Sequence, residues 1–114
     1  MLERKYQKKL RDQLMECVGL ILVKIGTREE GAGWPDLYVP SPIWHGWIEL
    51  KVGKGRVSGA QRMKIRLLNE RGVPAVVMRW TEDGERIEDY HGELLAMRVA
   101  GGGVELLRQL ATVS

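Results

Sequence analysis

The sequence predicts an α/β fold with a central mixed β-sheet flanked by helices, and three observations carry that prediction. An apolar stripe at a four-residue step opens the chain, β-prone runs recur through its middle, and glycine or proline punctuates the intervals. The resulting order, α-β-β-β-α-β with a helical tail, calls for helices packed on a sheet that holds both parallel and antiparallel neighbours.

Leu2, Tyr6, Leu10, Leu14 and Val18 mark one stripe of an amphipathic helix running from Leu2 to about Val18, and Gly19 is placed to stop it. Leu20 to Ile25 reads as a short strand, and Gly26 to Trp34 as a flexible, glycine-containing loop. A second strand covers Asp36 to Val39 and is broken by Pro40-Ser41-Pro42. A third covers Trp47 to Val52, so that the two form a hairpin. Gly53 and Gly55 end it. Ser58 can cap a helix from about Gly59 to Arg71, with Gly72 as its terminator, and Val73 to Trp80 is a further strand. Thr81 to Glu85 reads as a turn and Glu93 to Val99 as a short helix. Gly101-Gly102-Gly103 then separates it from a final helix near Val104 to Ala111.

A length of 114 residues fits one domain spanning 1–114, because single cores are built from roughly 100 to 150 residues. Hydrophobic residues at 44% and charged residues at 29% exclude a disordered or fibrous chain. No apolar run approaches the roughly 20 residues that cross a bilayer, and no signal-type segment follows Arg4, Lys5, Lys8 and Lys9. An intracellular protein is expected, cytoplasmic or phage-encoded and acting in its host cell. Cys17 is the only cysteine, which rules out an internal disulfide and a cysteine-rich zinc site and leaves it as a small buried hydrophobe. The net charge of +3 says little by itself, but its distribution says more. Between Glu49 and Glu70 there is no acidic residue, while Lys51, Lys54, Arg56, Arg62, Lys64 and Arg66 fall in that stretch. A one-signed block beside an acid cluster suits phosphate contacts flanking a metal site, although on charge alone a solvated helix face is the better reading.

The chemistry gathers around Asp36, Glu49 and Lys51. Strand side chains alternate, so Trp47, Glu49 and Lys51 share one face while Ile48, Leu50 and Val52 face the core. Pro35 holds Trp34 extended and stiffens the approach to Asp36, which hairpin pairing can bring close to Glu49. Two converging carboxylates repel unless a cation joins them, and such oxygen ligands suit Mg²⁺ or Mn²⁺. A metal there would polarise a phosphodiester and bind the attacking water, with Lys51 orienting or deprotonating that water. All three residues are expected at the mouth of the sheet and not in its core. His45 and His91 are too far apart to show metal spacing and read as loop or surface residues, and Gly53-Lys54-Gly55 lacks the P-loop pattern. Trp34 and Trp47 flank the site, either to stack on bases or simply to pack.

Gly33-Trp34-Pro35-Asp36-Leu37, Trp47-Ile48-Glu49-Leu50-Lys51-Val52 and Gly55-Arg56-Val57-Ser58-Gly59-Ala60-Gln61 together resemble the PD-(D/E)XK nuclease superfamily, and within it the stand-alone virus-type replication-repair nuclease (VRR-NUC) domain. The resemblance covers Leu2 to about Trp80. It implies a restriction-endonuclease-like core. It also implies metal ligation by Asp36, Glu49 and the main-chain carbonyl of Leu50, a catalytic Lys51, and a Gln61 that contacts active site or substrate. The family carries a glutamate on its first helix. The best-aligned position here is Gln7, and Glu3, one turn earlier on the same face, can take that role.

These residues together point to a Mg²⁺- or Mn²⁺-dependent DNA endonuclease with Lys54, Arg56, Arg62 and Lys64 on the DNA backbone, and the resemblance implies branched or structured DNA such as Holliday junctions or flaps as its substrate. A non-catalytic DNA-binding module of the same fold competes with this, as does a restriction-type endonuclease, for which so short a chain leaves little room for a base-reading element. A homodimer is expected because paired cuts in a nearly two-fold junction need two active sites. Leu94, Leu95, Met97, Val104, Leu106, Leu107 and Leu110 are the candidates for its interface, or else they cover the chain's own sheet.

Overall fold

A computed structural model of the chain describes residues 1–18, 23–24 and 33–114. The expected stop at Gly19, most of the Leu20 to Ile25 strand and most of the Gly26 to Trp34 loop lie outside the described residues. Among those described, three helices flank a six-stranded sheet. The elements are α1 (Glu3–Val18), β1 (Val23–Lys24), β2 (Leu37–Pro40), β3 (His45–Val52), α2 (Gly59–Glu70), β4 (Ala75–Thr81), β5 (Gly84–Glu88), β6 (Leu94–Met97) and α3 (Gly103–Val113). The strands lie in sequence order, with β3 and β4 parallel and every other neighbouring pair antiparallel. The parallel step is the crossover that carries α2 across one face of the sheet.

The first helix forms as its stripe dictates. Tyr6, Leu10 and Leu14 are fully buried, in one core with Leu37, Val39, Ile48, Leu50, Val76, Met78 and Ile87 from the sheet and Leu106, Leu107 and Leu110 from α3. Cys17 packs partly buried at the margin of this core. Helix α3 crosses α1 at close range through Gly103, where a Cβ would come within 2.5 Å of the Gln13 carbonyl oxygen and 2.6 Å of the Cys17 sulfur. The opposite face carries a smaller core of Val57, Ile65, Ala75 and Val77, against which Trp47, Leu68 and Tyr90 pack. Asn69 ties α2 to that face. Its amide nitrogen donates to the carbonyls of Ile65 and Ala75 while its oxygen accepts from the Ala75 amide.

Two expectations are corrected, and a choice left open is divided. Glu93 to Val99 is not a helix: Leu94–Met97 forms the edge strand β6, paired to β5 with a register shift at Ile87/Glu88. The turn ends earlier than expected, at Asp83, and Gly84–Glu88 forms β5. The apolar residues of the tail divide: Leu106, Leu107 and Leu110 are spent on the chain's own core, whereas Leu94, Leu95 and Met97 are exposed. No described helix is long and apolar enough to cross a membrane.

Candidate active site

The hairpin sets the first two carboxylates. Leu37 pairs with Ile48, so Asp36, one residue before β2, falls opposite Glu49. Asp36 is anchored there by its Oδ2, which accepts from the Leu50 amide at 2.9 Å. The approach is fixed from the other side by Gly33, whose φ of +93° suits glycine. A Cβ at that position would stand 2.4 Å from the Ala60 carbonyl oxygen, so only a bare backbone lets segment 33–36 lie against the first turn of α2. Glu3, from the first turn of α1, supplies a third carboxylate, and one oxygen each of Glu3, Asp36 and Glu49 lies within 4.8 Å of the others.

Gln61 has two tasks, and they explain why a glutamine suits the position. Ser58 caps α2 by accepting from the Gln61 amide at 3.2 Å, and the Gln61 side-chain oxygen accepts from the Ser58 amide at 2.9 Å, a reciprocal capping box. Its side-chain nitrogen is thereby left to donate to Glu49 Oε2 at 2.9 Å. A glutamate could close the same box but would set a second anion against Glu49. Lys51 Nζ stands 3.5 Å from the same Oε2. Both partners therefore hold Oε2, and among the described residues Glu49 Oε1 is buried with no hydrogen-bond partner.

Glu49 is only 1% exposed, which corrects the expectation that the whole triad sits outside the core; Asp36 and Lys51 are partly exposed. Burial, followed by the negative charge of Asp36 and, more weakly, that of Glu3, pushes the Glu49 carboxyl up to about 8 against the pull of Lys51. A buried oxygen without a partner, in an all-oxygen group of three carboxylates, is what a hard divalent cation would complete. The residues present fit Mg²⁺ or Mn²⁺.

The basic block is divided by the fold. Lys54, Arg56 and Arg62 line one open hollow, while Lys64 lines a separate recess and lies over the Trp34 ring, 4.4 Å from its centre. Trp47 contacts Trp34 and Tyr38 at centroid distances of 5.0 and 4.9 Å and packs on the α2 core. His45 opens β3 against Tyr38 and His91 lies beside Tyr90; both are exposed. Arg79, Arg86 and Glu88 join the hollow without having been anticipated. Their neighbourhood depends on the pairing register of β4 and β5, which spacing along the chain does not reveal.

No family model and no curated protein matches the chain. Among solved structures it is similar to Archaeoglobus fulgidus Hjc, a Holliday junction resolvase from an archaeal hyperthermophile, with a TM-score of 0.58 at 15% identity over 96% of this chain and 95% of that one. The chain has the restriction-endonuclease-like fold. The α/β expectation, a mixed sheet flanked by helices, is met, and at this identity the likeness speaks for the fold.

Proposed function

We propose that the chain is a metal-dependent endonuclease that hydrolyses phosphodiester bonds in branched or structured DNA such as Holliday junctions or flaps. The observation that carries this reading is the convergence of Glu3, Asp36 and Glu49 beside Lys51 and Gln61, with Glu49 Oε1 left without a partner among the described residues. The likeness in fold to a resolvase supports the choice of substrate, and the motif residues support a place among PD-(D/E)XK nucleases of the VRR-NUC kind.

Glu3, Asp36 and Glu49 would hold Mg²⁺ or Mn²⁺, with the Leu50 carbonyl as a further candidate. Such an ion, when bound, would supply Lewis-acid polarisation of a phosphoryl oxygen and a lowered pKa for its water. The protein's own groups divide the remaining work. Gln61 and Lys51 fix Glu49 through Oε2, so the carboxylate presents Oε1 in one orientation. Lys51, partly buried and in reach of the same point, orients the attacking water and offsets negative charge that develops on the phosphoryl oxygens. Lys54, Arg56, Arg62 and Lys64 carry DNA phosphates.

A cleavage assay on labelled linear, flap and four-way DNAs, with Mg²⁺, Mn²⁺ or chelator, tests the reading. Cuts confined to branched substrates and abolished by chelator are expected. Tight binding without cleavage under every condition would instead mark a non-catalytic DNA-binding module.

Paired cuts call for two copies, and the surface that remains for a dimer is the outer strip of Leu94, Leu95, Met97 and Val99, between 39% and 55% exposed. Direct strand-to-strand pairing is blunted at its end. Gln109 donates to the Met97 carbonyl and accepts from the Val99 amide, so a second copy would meet side chains more than backbone. Light scattering at micromolar concentration should give twice the chain mass, and Leu94→Glu with Leu95→Glu should halve it. A monomer that still cuts a junction symmetrically would refute the dimer.

A further inference from the structure

The hollow beside the proposed active site is more than a basic surface. Lys51, Arg79 and Arg86 are register partners on β3, β4 and β5, so three cationic side chains stand in one row across the sheet. Like charges set opposite one another across strands are destabilising. Glu88, 2% exposed, offsets part of that cost. It accepts from Arg79 Nε through both oxygens at 3.1 Å and from Arg86 Nε at 2.6 Å. Arg79 Nη1 then donates to the carbonyls of Gly53 at 2.8 Å and Gly55 at 2.6 Å, which fixes the turn that carries Lys54 and Arg56. Among the described residues, the remaining terminal nitrogen of Arg79 and both terminal nitrogens of Arg86 have no acceptor. Lys54, Arg56, Arg62, Arg79 and Arg86 line an open hollow of about 380 Å³ in which these five cations face one carboxylate, Glu88.

We propose that this hollow is a second, preset phosphate site, holding a phosphate group of the nucleic-acid strand that adjoins the one to be cut. The proposal rests on the nuclease reading for its biological ligand but not for its chemistry. The ligand is an oxyanion because the site offers guanidinium groups held in place by Glu88 and lining the hollow, with a surplus of positive charge. Its distance fits a neighbouring phosphate: Arg79 and Arg86 lie one and two strand spacings from Lys51, about 5 and 10 Å. Preset orientation also separates this site from a diffuse basic patch. Removing the negative charge of Glu88 should strengthen anion binding to a patch and weaken it here, because Arg79 and Arg86 lose the group that aims them.

Inorganic phosphate is titrated into the metal-free protein while the Nε–H signals of Arg79 and Arg86 are followed by NMR. Saturable shifts are expected in the wild type and their loss in Arg86→Gln. In steady-state cleavage, Arg86→Gln and Arg56→Gln should raise KM about tenfold or more with kcat nearly kept, and flatten the salt dependence of DNA binding by about one unit of slope for each phosphate no longer held. Glu88→Gln should weaken phosphate binding. Its melting temperature is read alongside, and because Arg56 is exposed its variant keeps the test open if Glu88→Gln does not fold. Oligonucleotides with and without a terminal phosphate distinguish the sources. Equal affinity with the Arg86 effect retained assigns an internal phosphodiester, and a gain from the terminal phosphate that vanishes in Arg86→Gln assigns a strand end. No saturable shift together with an unchanged KM overturns the site while leaving the nuclease reading intact. Saturable phosphate binding in a protein that cuts no DNA keeps the site and removes the nuclease.

Discussion

Replacing Glu49 by glutamine should abolish cleavage while leaving a folded protein. Glu49 belongs to the carboxylate group, its Oε1 is buried without a hydrogen-bond partner among the described residues, and glutamine keeps the side chain's shape and its contact to Gln61 but cannot offer an anionic ligand. Asp36→Asn should do the same. Lys51→Ala is expected to lower kcat by about 10² to 10⁴-fold, the usual contribution of a positioned proton-handling group. Circular dichroism must accompany each assay, because Asp36 also accepts from the Leu50 amide and its loss loosens the hairpin. Retained cutting by a folded Glu49→Gln protein would remove the proposed site.

The second large effect is on stability. In the metal-free protein the Glu49 carboxyl is held up to about 8 by burial and by Asp36, above its ordinary 4.5. Between these two values the folded chain keeps a proton that the unfolded chain has released, so stability falls as pH rises through this window and is lowest above about 8. The loss is on the order of a few kcal/mol, since one unit of displacement is worth about 1.4 kcal/mol. Without divalent ions, wild-type melting should therefore drop by on the order of ten degrees or more relative to Glu49→Gln between pH 5 and pH 8, at the usual scale of roughly 4–8 °C per kcal/mol for a domain near this size. Mg²⁺ or Mn²⁺ should restore it at pH 8, in the wild type alone, because the ion takes the place of the proton. Parallel melting curves for the two proteins across that window would contradict the burial of a titrating Glu49.

Where the sequence pattern coincided with a local rule, it was legible. The four-residue stripe through Tyr6, Leu10 and Leu14 needed only helix geometry. Ser58 three residues before Gln61 was readable as a cap, and the alternation in Trp47 to Val52 separated Glu49 and Lys51 from Ile48 and Leu50. The features that escaped depended on tertiary pairing. Leu94-Leu95-Ala96-Met97 is built of good helix formers without alternation, yet pairing with β5 makes it a strand. Gly84–Glu88 offers Ile87 as its one core-facing apolar residue, too little to signal a strand beforehand. Glu49 could be assigned to the polar face of β3, but not to a buried position, because α2 closes over that face only in three dimensions. The Arg79–Glu88–Arg86 arrangement escaped for the same reason as its register.

A divalent cation held by Glu3, Asp36 and Glu49 for phosphodiester cleavage is tested most directly by titrating Mn²⁺ at pH 8 and following free Mn²⁺ by electron paramagnetic resonance, with cleavage of a four-way DNA measured over the same concentrations. The expected result is a saturable Mn²⁺ site in the wild type that disappears in Glu49→Gln and Asp36→Asn, with cleavage rising as that site fills. Undiminished Mn²⁺ binding in both variants, or cutting that persists in chelator, would contradict it.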